Sequence, residues 1–227
     1  MKATIPYVQE KFREYNQLIF NGELPEIPIQ LSDAKGFLGV CKYKRRKLPD
    51  GTVERYDFRL SINARIDMPE DELDDIIIHE MIHYYIGVNK IADTSAHGRV
   101  FRQMMKTINE QYGRHITISH KYTDEQADQA YGTRPRWHAV AVVKFRDGRT
   151  GVKVLPRVAR RIIAFRRNLL WAGGVKQVDL YLSSDPFFNR FPTSTALKIY
   201  YVDSEELASH LKDAQALKAA QLLRMTS

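Results

Sequence analysis

The chain has 227 residues, 44% of them apolar and 27% charged, and a net charge of +8. This is ordinary for a globular protein, with enough chain for one large domain or two smaller ones. No secretory leader or membrane-spanning stretch is apparent, so we expect a soluble, cytoplasmic protein. The single cysteine, Cys41, excludes an internal disulfide and any cysteine-ligated zinc ribbon within this sequence.

Charge is distributed unevenly along the chain. Residues 1–130 contain 18 Lys and Arg against 20 Asp and Glu, whereas residues 131–227 contain 17 against 7. This asymmetry predicts two functional parts, of which the basic one faces a polyanion such as nucleic acid. A basic surface that serves only solubility is the simpler alternative.

The first third of the chain alternates helical and extended patterns. Apolar residues at helical spacing in "PYVQEKFREYNQLIFNG" predict a helix that Gly22 ends, and prolines make the following "LPEIPIQLSD" extended. "GFLGVCKYK" and "VERYDFRLSIN" are predicted to pair around the turn "RRKLPDGT". Lys44, Arg45 and Arg46 make this hairpin basic, so its tip is either merely solvated or contacts phosphate.

Two helices are predicted next. "MPEDELDDIIIHEMIHYYIG" can begin at Pro69, and the acidic residues that follow suit the positive end of the helix dipole. "AHGRVFRQMMKTINEQYG" has a helical stripe of Met and aromatic residues that predicts core packing, and Asp93, Thr94 or Ser95 could cap this helix.

From residue 131 we predict a smaller basic α+β region that binds nucleic acid or serves an accessory role. It comprises a hairpin in "WHAVAVVKFRDGRTGVKVLP", an arginine-rich helix in "PRVARRIIAFRRNLL" with Arg160 and Arg161 as candidate phosphate contacts, strands in "KQVDLYLS" and "TALKIYYV", and a last helix capped by Asp203. The aromatic residues of this region form its core or stack on unpaired bases; they are Trp137, Phe187, Phe188 and Phe191.

The helix around residue 80 contains titratable groups in an apolar run, "DDIIIHEMIHYYI". His79 and His83 are four residues apart, so both imidazoles project from one face toward a common point, as two ligands of tetrahedral zinc require. Glu80 is offset by about 100° around the helix, where it can take a proton from a zinc-held water and pass it to the leaving amine. The pattern therefore indicates a zinc peptidase, although short patterns of this kind also occur by chance.

A catalytic zinc site needs a third protein ligand. The candidates are His97, His115, His120, Glu110 and Asp93. The compact pattern with Gly and His three and six residues after the second histidine is absent, because positions 86 and 89 are Ile and Asn. Spacing favours His97, which follows a loop long enough to fold back, over Glu110.

Three separated motifs resemble the SprT-like family, which includes the Spartan proteases. They are "YNQLIFNGELPEIPI" with the "GVCKYK" strand, then "IIIHEMIHYYI", then "DTSAHGRVFRQMM", and together they lie within about residues 8–125. The resemblance implies a zincin-like helical protease domain with a small sheet at residues 1–130. It also implies His79, His83 and His97 as zinc ligands and Glu80 as catalytic base.

The resemblance further implies substrates that are proteins held on or crosslinked to DNA. Many relatives carry a four-cysteine zinc ribbon after the protease region; none can form here, and residues 131–227 take its place. Two hypotheses follow. The chain is a zinc endopeptidase acting on DNA-associated proteins, or a nucleic-acid-binding protein whose zinc is structural or whose hydrolysis is vestigial.

Overall fold

The computed structural model describes residues 1–120 and 122–217. The last residues of the predicted 131–227 region, 218–227, lie outside the described residues. The chain divides into two compact units, Met1–Ala130 and Tyr131–Ser227. Each unit combines helices with a sheet, which confirms the predicted α+β class. Within the described part of the chain, no helix is long and apolar enough to cross a membrane.

The described residues of unit 1 form four helices, the last of which runs one residue past the unit: α1 (Ile5–Phe20), α2 (Glu70–Val88), α3 (Arg99–Tyr112) and α4 (Asp124–Tyr131). The α1 helix begins with a side-chain cap from Thr4 and ends at Asn21, whose left-handed conformation stops it one residue before the predicted Gly22. Pro69 precedes α2 as its N-cap instead of being its first helical residue. Three acidic residues occupy the first turn of α2, as predicted from the dipole.

A small mixed sheet accompanies these helices, with strand order β1 (Ile29–Ser32), β3 (Val53–Asn63), β2 (Gly39–Lys47). β2 and β3 form the predicted antiparallel hairpin, and β1 runs parallel to β3. The turn is shorter than predicted, because β2 continues through Lys47 and carries Arg45 and Arg46 on the strand itself. β2 is an edge strand of this sheet.

A buried carboxylate joins α1 to α2. Asp74 is 3% exposed and accepts hydrogen bonds from the hydroxyls of Tyr7 at 2.7 Å and Tyr15 at 2.5 Å. Burial and the adjacent Asp74 carboxylate raise the pKa of both phenols, so both hydroxyls keep the proton that they donate. The network orients α2, the helix with the histidine pair, against α1.

Within residues 131–217, unit 2 forms a five-stranded antiparallel sheet with the order β7 (Tyr200–Tyr201), β5 (Thr150–Leu155), β4 (His138–Phe145), β6 (Val175–Ser183), β8 (Gln215–Ala216). Helix α5 (Ala159–Trp171) packs on one face of this sheet. A 3₁₀ turn at Pro186–Arg190 and helix α6 (Ser204–His210) contribute to the core on the other face. Alternating side chains of β4 supply both cores, which is the pattern of a sheet covered on both sides.

Three predictions for unit 2 can be compared with the structure. The strand predicted in "TALKIYYV" is reduced to Tyr200–Tyr201. Asp203 caps α6 as predicted, accepting from the backbone N–H groups of Glu205 and Glu206. Phe187 and Phe188 are 5% and 0% exposed, so they are core residues and cannot stack on bases.

Candidate metal centre

Three imidazoles converge in unit 1. His79 and His83 lie one turn apart on α2, and His97 lies in the loop just before α3. Their Nε2 atoms are 3.1 Å apart for His79 and His97, 3.2 Å for His79 and His83, and 3.0 Å for His83 and His97. A tetrahedral zinc ion with Zn–N bonds of about 2.0–2.1 Å holds its nitrogen ligands roughly 3.3 Å apart. The spacing fits one metal ion to within a few tenths of an ångström.

The protonation of His79 follows from its second nitrogen. Its Nδ1 lies 2.9 Å from the carbonyl oxygen of Thr117, an acceptor, so Nδ1 carries the hydrogen and Nε2 presents a lone pair to the centre. Desolvation by burial, with the neighbouring histidines, lowers the pKa of His79 to about 4 and that of His83 to about 3. Burial also lowers the pKa of His97. All three imidazoles are therefore neutral at neutral pH, which is the metal-binding form.

One aromatic ring supports all three histidines. The ring centroid of Phe101 lies 4.8 Å from that of His79, 4.5 Å from that of His83 and 4.7 Å from that of His97. Phe101 is 0% exposed, so it forms an apolar floor beneath the imidazoles. Sequence reasoning placed Phe101 in the core stripe of α3 but did not predict this role.

Glu80 has a separate environment beside the histidines. It is 6% exposed, and its Oε2 accepts the backbone N–H of Cys41 on β2 at 2.7 Å. Burial raises the pKa of Glu80 to about 7, and the Cys41 hydrogen bond opposes the rise. A carboxylate whose pKa lies near neutrality can both accept and return a proton at neutral pH.

The approach of β2 to Glu80 requires glycine at position 39. A Cβ atom there would lie 2.8 Å from Cγ of Glu80 and 2.8 Å from Cγ2 of Ile76, closer than real Cβ contacts allow. Gly39 therefore lets the edge strand pass directly over the helix. The "GVCKYK" segment carries this requirement, but sequence reasoning read it only as a strand.

The loop that holds His97 is organised by Asp93. Its Oδ1 accepts the N–H of Thr94 at 2.7 Å, and its Oδ2 accepts the N–H of Phe101 in the first turn of α3 at 3.0 Å. These backbone hydrogen bonds hold the pKa of Asp93 below its usual range. Gly98 makes room for the carboxylate, since a Cβ there would lie 2.0 Å from Oδ1. Asp93, one of the three predicted capping residues, therefore accepts a hydrogen bond from the first turn of α3 although it lies six residues before the first residue of that helix.

The other candidate third ligands lie elsewhere. Glu110 pairs with Lys106 at 3.7 Å, His120 lies 3.0 Å from Glu72, and His115 is exposed. Among residues 1–120 and 122–217, the group able to hold a metal ion is His79, His83 and His97, whose ligand atoms all lie within 4.8 Å of one another. The structure brings together the three predicted ligands.

The candidate phosphate contacts divide into two groups. On the hairpin, Lys44 pairs with Asp57 at 2.8 Å and Arg46 with Glu54 at 2.5 Å, while Arg45 lies over the ring of Tyr43. On α5, Arg160 and Arg161 are exposed and form no ion pair with the described residues. Unlike Lys44 and Arg46, the two α5 arginines therefore have no acidic partner among the described residues.

Comparison with known proteins places these features in a family. The profile of the SprT-like family matches residues 8–122, about half of the chain and the whole of the histidine site. The chain is 31% identical over 122 residues to the DNA-dependent metalloprotease SPRTN of Rattus norvegicus, a match covering 53% of this chain and 23% of the rat protein.

Further relatives give the same picture. The human SPRTN is also 31% identical over 122 residues, covering 53% of this chain and 24% of the human protein. The DNA-dependent metalloprotease dvc-1 of Caenorhabditis elegans is 30% identical over 122 residues, 53% of this chain and 32% of the worm protein. The matched region is thus about a quarter to a third of these relatives. Because the family profile covers half of the sequence, including the three convergent histidines, the chain belongs to the SprT-like family.

Proposed function

We propose that this chain is a zinc-dependent endopeptidase that cleaves proteins bound or crosslinked to DNA, with a zincin-like protease domain at residues 1–130. The observation that carries the proposal is the convergence of the Nε2 atoms of three neutral histidines on one point. The buried carboxylate of Glu80 lies beside these atoms without being one of the converging ligands. A purely structural site has no use for a carboxylate in that position. The names of the relatives, DNA-dependent metalloproteases, support both the reaction and the DNA.

The chemistry divides between the metal and the protein. Zinc held by His79, His83 and His97 would supply a Lewis acid that acidifies water and polarises the scissile carbonyl. Glu80 takes the proton from the attacking water and delivers it to the leaving amine. The N–H of Cys41 keeps the Glu80 carboxylate oriented, and burial in apolar surroundings raises its pKa to about 7 against the opposing effect of that hydrogen bond.

The edge of β2 offers a place for the substrate backbone. Cys41 of β2 and Leu60 of β3 face each other in the sheet, and their N–H groups point away from each other. Leu60 donates to the carbonyl of Pro28 on the far side of β3, and Cys41 donates to Glu80 on the outer side of β2. The outer edge of β2 therefore borders the Glu80 carboxylate. An extended peptide that pairs with this edge would lie across the catalytic groups with little dependence on its side chains.

The second part of the proposal assigns residues 131–227 as a basic nucleic-acid-binding or accessory domain. Its excess of Lys and Arg supports phosphate contact, which supplies most non-specific DNA affinity. Binding to DNA would bring the protease to proteins on that DNA and raise their local concentration.

The deciding experiment compares wild type with Glu80→Gln. Each is assayed for bound zinc and for cleavage of casein and histone, with and without DNA; Glu23→Gln, at an exposed glutamate, is the matched control. We expect full zinc content in all three proteins and loss of cleavage in Glu80→Gln alone. Cleavage by Glu80→Gln at the wild-type rate would refute the assigned base. If wild type leaves both substrates intact in every condition, the chain is a nucleic-acid-binding protein with a structural or vestigial metal site.

A further inference from the structure

The arginine-rich helix α5 carries basic residues in its first turn. Helices α2, α4 and α6 place acidic residues in this turn, as the positive N-terminal dipole favours, whereas α1 and α3 have none. α5 has no acidic residue in its first turn, which instead holds Arg160 and Arg161, and its N-cap Val158 offers no side-chain hydrogen bond. Arg160 and Arg161 therefore add their charge to the positive end of the helix dipole, where an anion is favoured.

The stretch of sequence that contains α5 has no acidic residue that could neutralise its arginines. Between Asp147 and Asp179 the chain has eight Lys and Arg and no Asp or Glu. Within the described residues, Arg160, Arg161 and Arg167 are exposed and form no ion pair. Their charge is therefore available to a partner.

An exposed tryptophan, Trp171, lies on the same face of α5 as Arg160 and Arg167. Arg160, Arg167 and Trp171 follow the spacing i, i+7, i+11, with the small Ala164 at i+4, so they form one stripe about 16 Å long. The opposite face, with Ile162, Phe165 and Leu169, is buried against the sheet. Trp171 is 88% exposed, so a large apolar ring remains in contact with water unless a partner covers it.

We propose that this stripe, Arg160, Arg167 and Trp171, binds single-stranded DNA, with phosphates on the two arginines and an unpaired base stacked on the indole. Arginine and an exposed aromatic ring are the two elements that sequence-tolerant single-strand sites combine. An indole stacks on a base only where no neighbouring pair covers the base, so the tryptophan favours single strands over duplex. The choice of DNA as the partner rests on the proposed function; the surface itself does not depend on proteolysis.

The stripe differs from the stacking residues expected from the sequence. Phe187 and Phe188 are in the core, and Trp137 is half-exposed outside α5. Trp171 was not singled out by sequence, because its position at the end of a helical apolar pattern is equally compatible with burial.

The test measures the anisotropy of fluorescein-labelled oligo(dT) with the full chain. We expect Trp171→Ala to weaken binding about tenfold. Arg160→Ala combined with Arg167→Ala should lower the slope of log affinity against log salt by about 1.4, or about 0.7 for each lost phosphate contact. The matched controls, Trp137→Ala and Arg13→Ala at an exposed arginine of α1, should bind as wild type. In a Trp137→Phe background, oligo(dT) should quench the fluorescence of Trp171, the remaining tryptophan.

Four outcomes would overturn the inference: equal binding by Trp171→Ala and wild type, loss of binding in Trp137→Ala instead, at least tenfold preference for duplex DNA or oligo(U), or displacement of oligo(dT) by anionic phosphatidylglycerol vesicles. Casein cleavage without DNA is measured on the same variants and should be unchanged. A wild type that binds oligo(dT) but never cleaves casein or histone refutes the proposed protease and leaves this surface standing.

Discussion

The backbone N–H of Cys41 donates a hydrogen bond to Oε2 of Glu80 at 2.7 Å, which ties an edge strand to the helix of the histidine pair. The contact is possible because Gly39, two residues earlier, has no side chain to separate strand from helix. The position of the proposed base is therefore set by a strand that contributes no metal ligand. This separation of metal holding from base positioning leads to the first prediction.

Gly39→Ala should impair catalysis while sparing the metal. The added Cβ would lie 2.8 Å from Cγ of Glu80, so the carboxylate or the strand must shift. We expect kcat/KM for casein to fall by at least about tenfold, since small misplacements of catalytic groups cost this much or more, with zinc content unchanged. Gly36→Ala, where nothing lies within 4 Å of the new Cβ, is the control. Equal activity of Gly39→Ala and Gly36→Ala would contradict the positioning role.

Glu80→Gln should stabilise the metal-free protein in a pH-dependent way. Burial raises the folded-state pKa of Glu80 from 4.5 to about 7, so between these values the folded state keeps a proton that the unfolded state releases. Stability therefore falls as pH rises through this window, and the ionised buried carboxylate costs roughly 3 kcal/mol above it. Glutamine has no such cost and still accepts from Cys41.

The measurement is urea unfolding in the presence of a chelator. The free energy of unfolding of Glu80→Gln should exceed that of wild type at pH 8, and the gap should close on going down to pH 4.5. A gap of the same size at both pH values would show that ionisation is not its cause. Glu23→Gln, at an exposed site, should show no gap.

Asp93→Ala should lower the affinity for zinc without touching any ligand. Asp93 accepts the N–H of Phe101 and thereby holds the loop of His97 against α3. Losing a helix cap costs about 1 kcal/mol, and groups that orient metal ligands typically change affinity 10–100-fold. We expect at least a tenfold weaker zinc Kd in competition with a chromophoric chelator. Asp50→Ala, which removes a comparable turn contact to Thr52 on the hairpin, should leave the Kd unchanged.

Tyr15→Phe should destabilise unit 1 through Asp74. The mutation removes one of two hydroxyl donors to a buried carboxylate, and hydrogen bonds to charged groups contribute about 1.5–3 kcal/mol. Urea unfolding should show a loss in this range. Tyr56→Phe, at an exposed residue, should be neutral within about 0.5 kcal/mol. A double-mutant cycle with Tyr7→Phe should be non-additive, because both hydroxyls share the same acceptor; additive losses would mean that the two contacts are independent.

Local patterns in the sequence were sufficient for much of the architecture. The β2–β3 and β4–β5 hairpins, the helix of the histidine pair and the Asp203 cap were predicted correctly, because each depends on residues close together in the chain. The strand at Tyr200–Tyr201 was predicted too long because β7 pairs with β5 at just two positions, and residue preferences do not report how much partner is available.

By itself, the sequence determined that His79 and His83 share a face, since a four-residue spacing on a helix decides that without any tertiary contact. It also determined the excess of positive charge after residue 131. Tertiary structure alone decided that His97 meets the pair, that Asp93 holds its loop and that Cys41 reaches Glu80. Each of these joins segments separated by loops or strands, and their distances depend on how whole elements pack, which no local periodicity encodes.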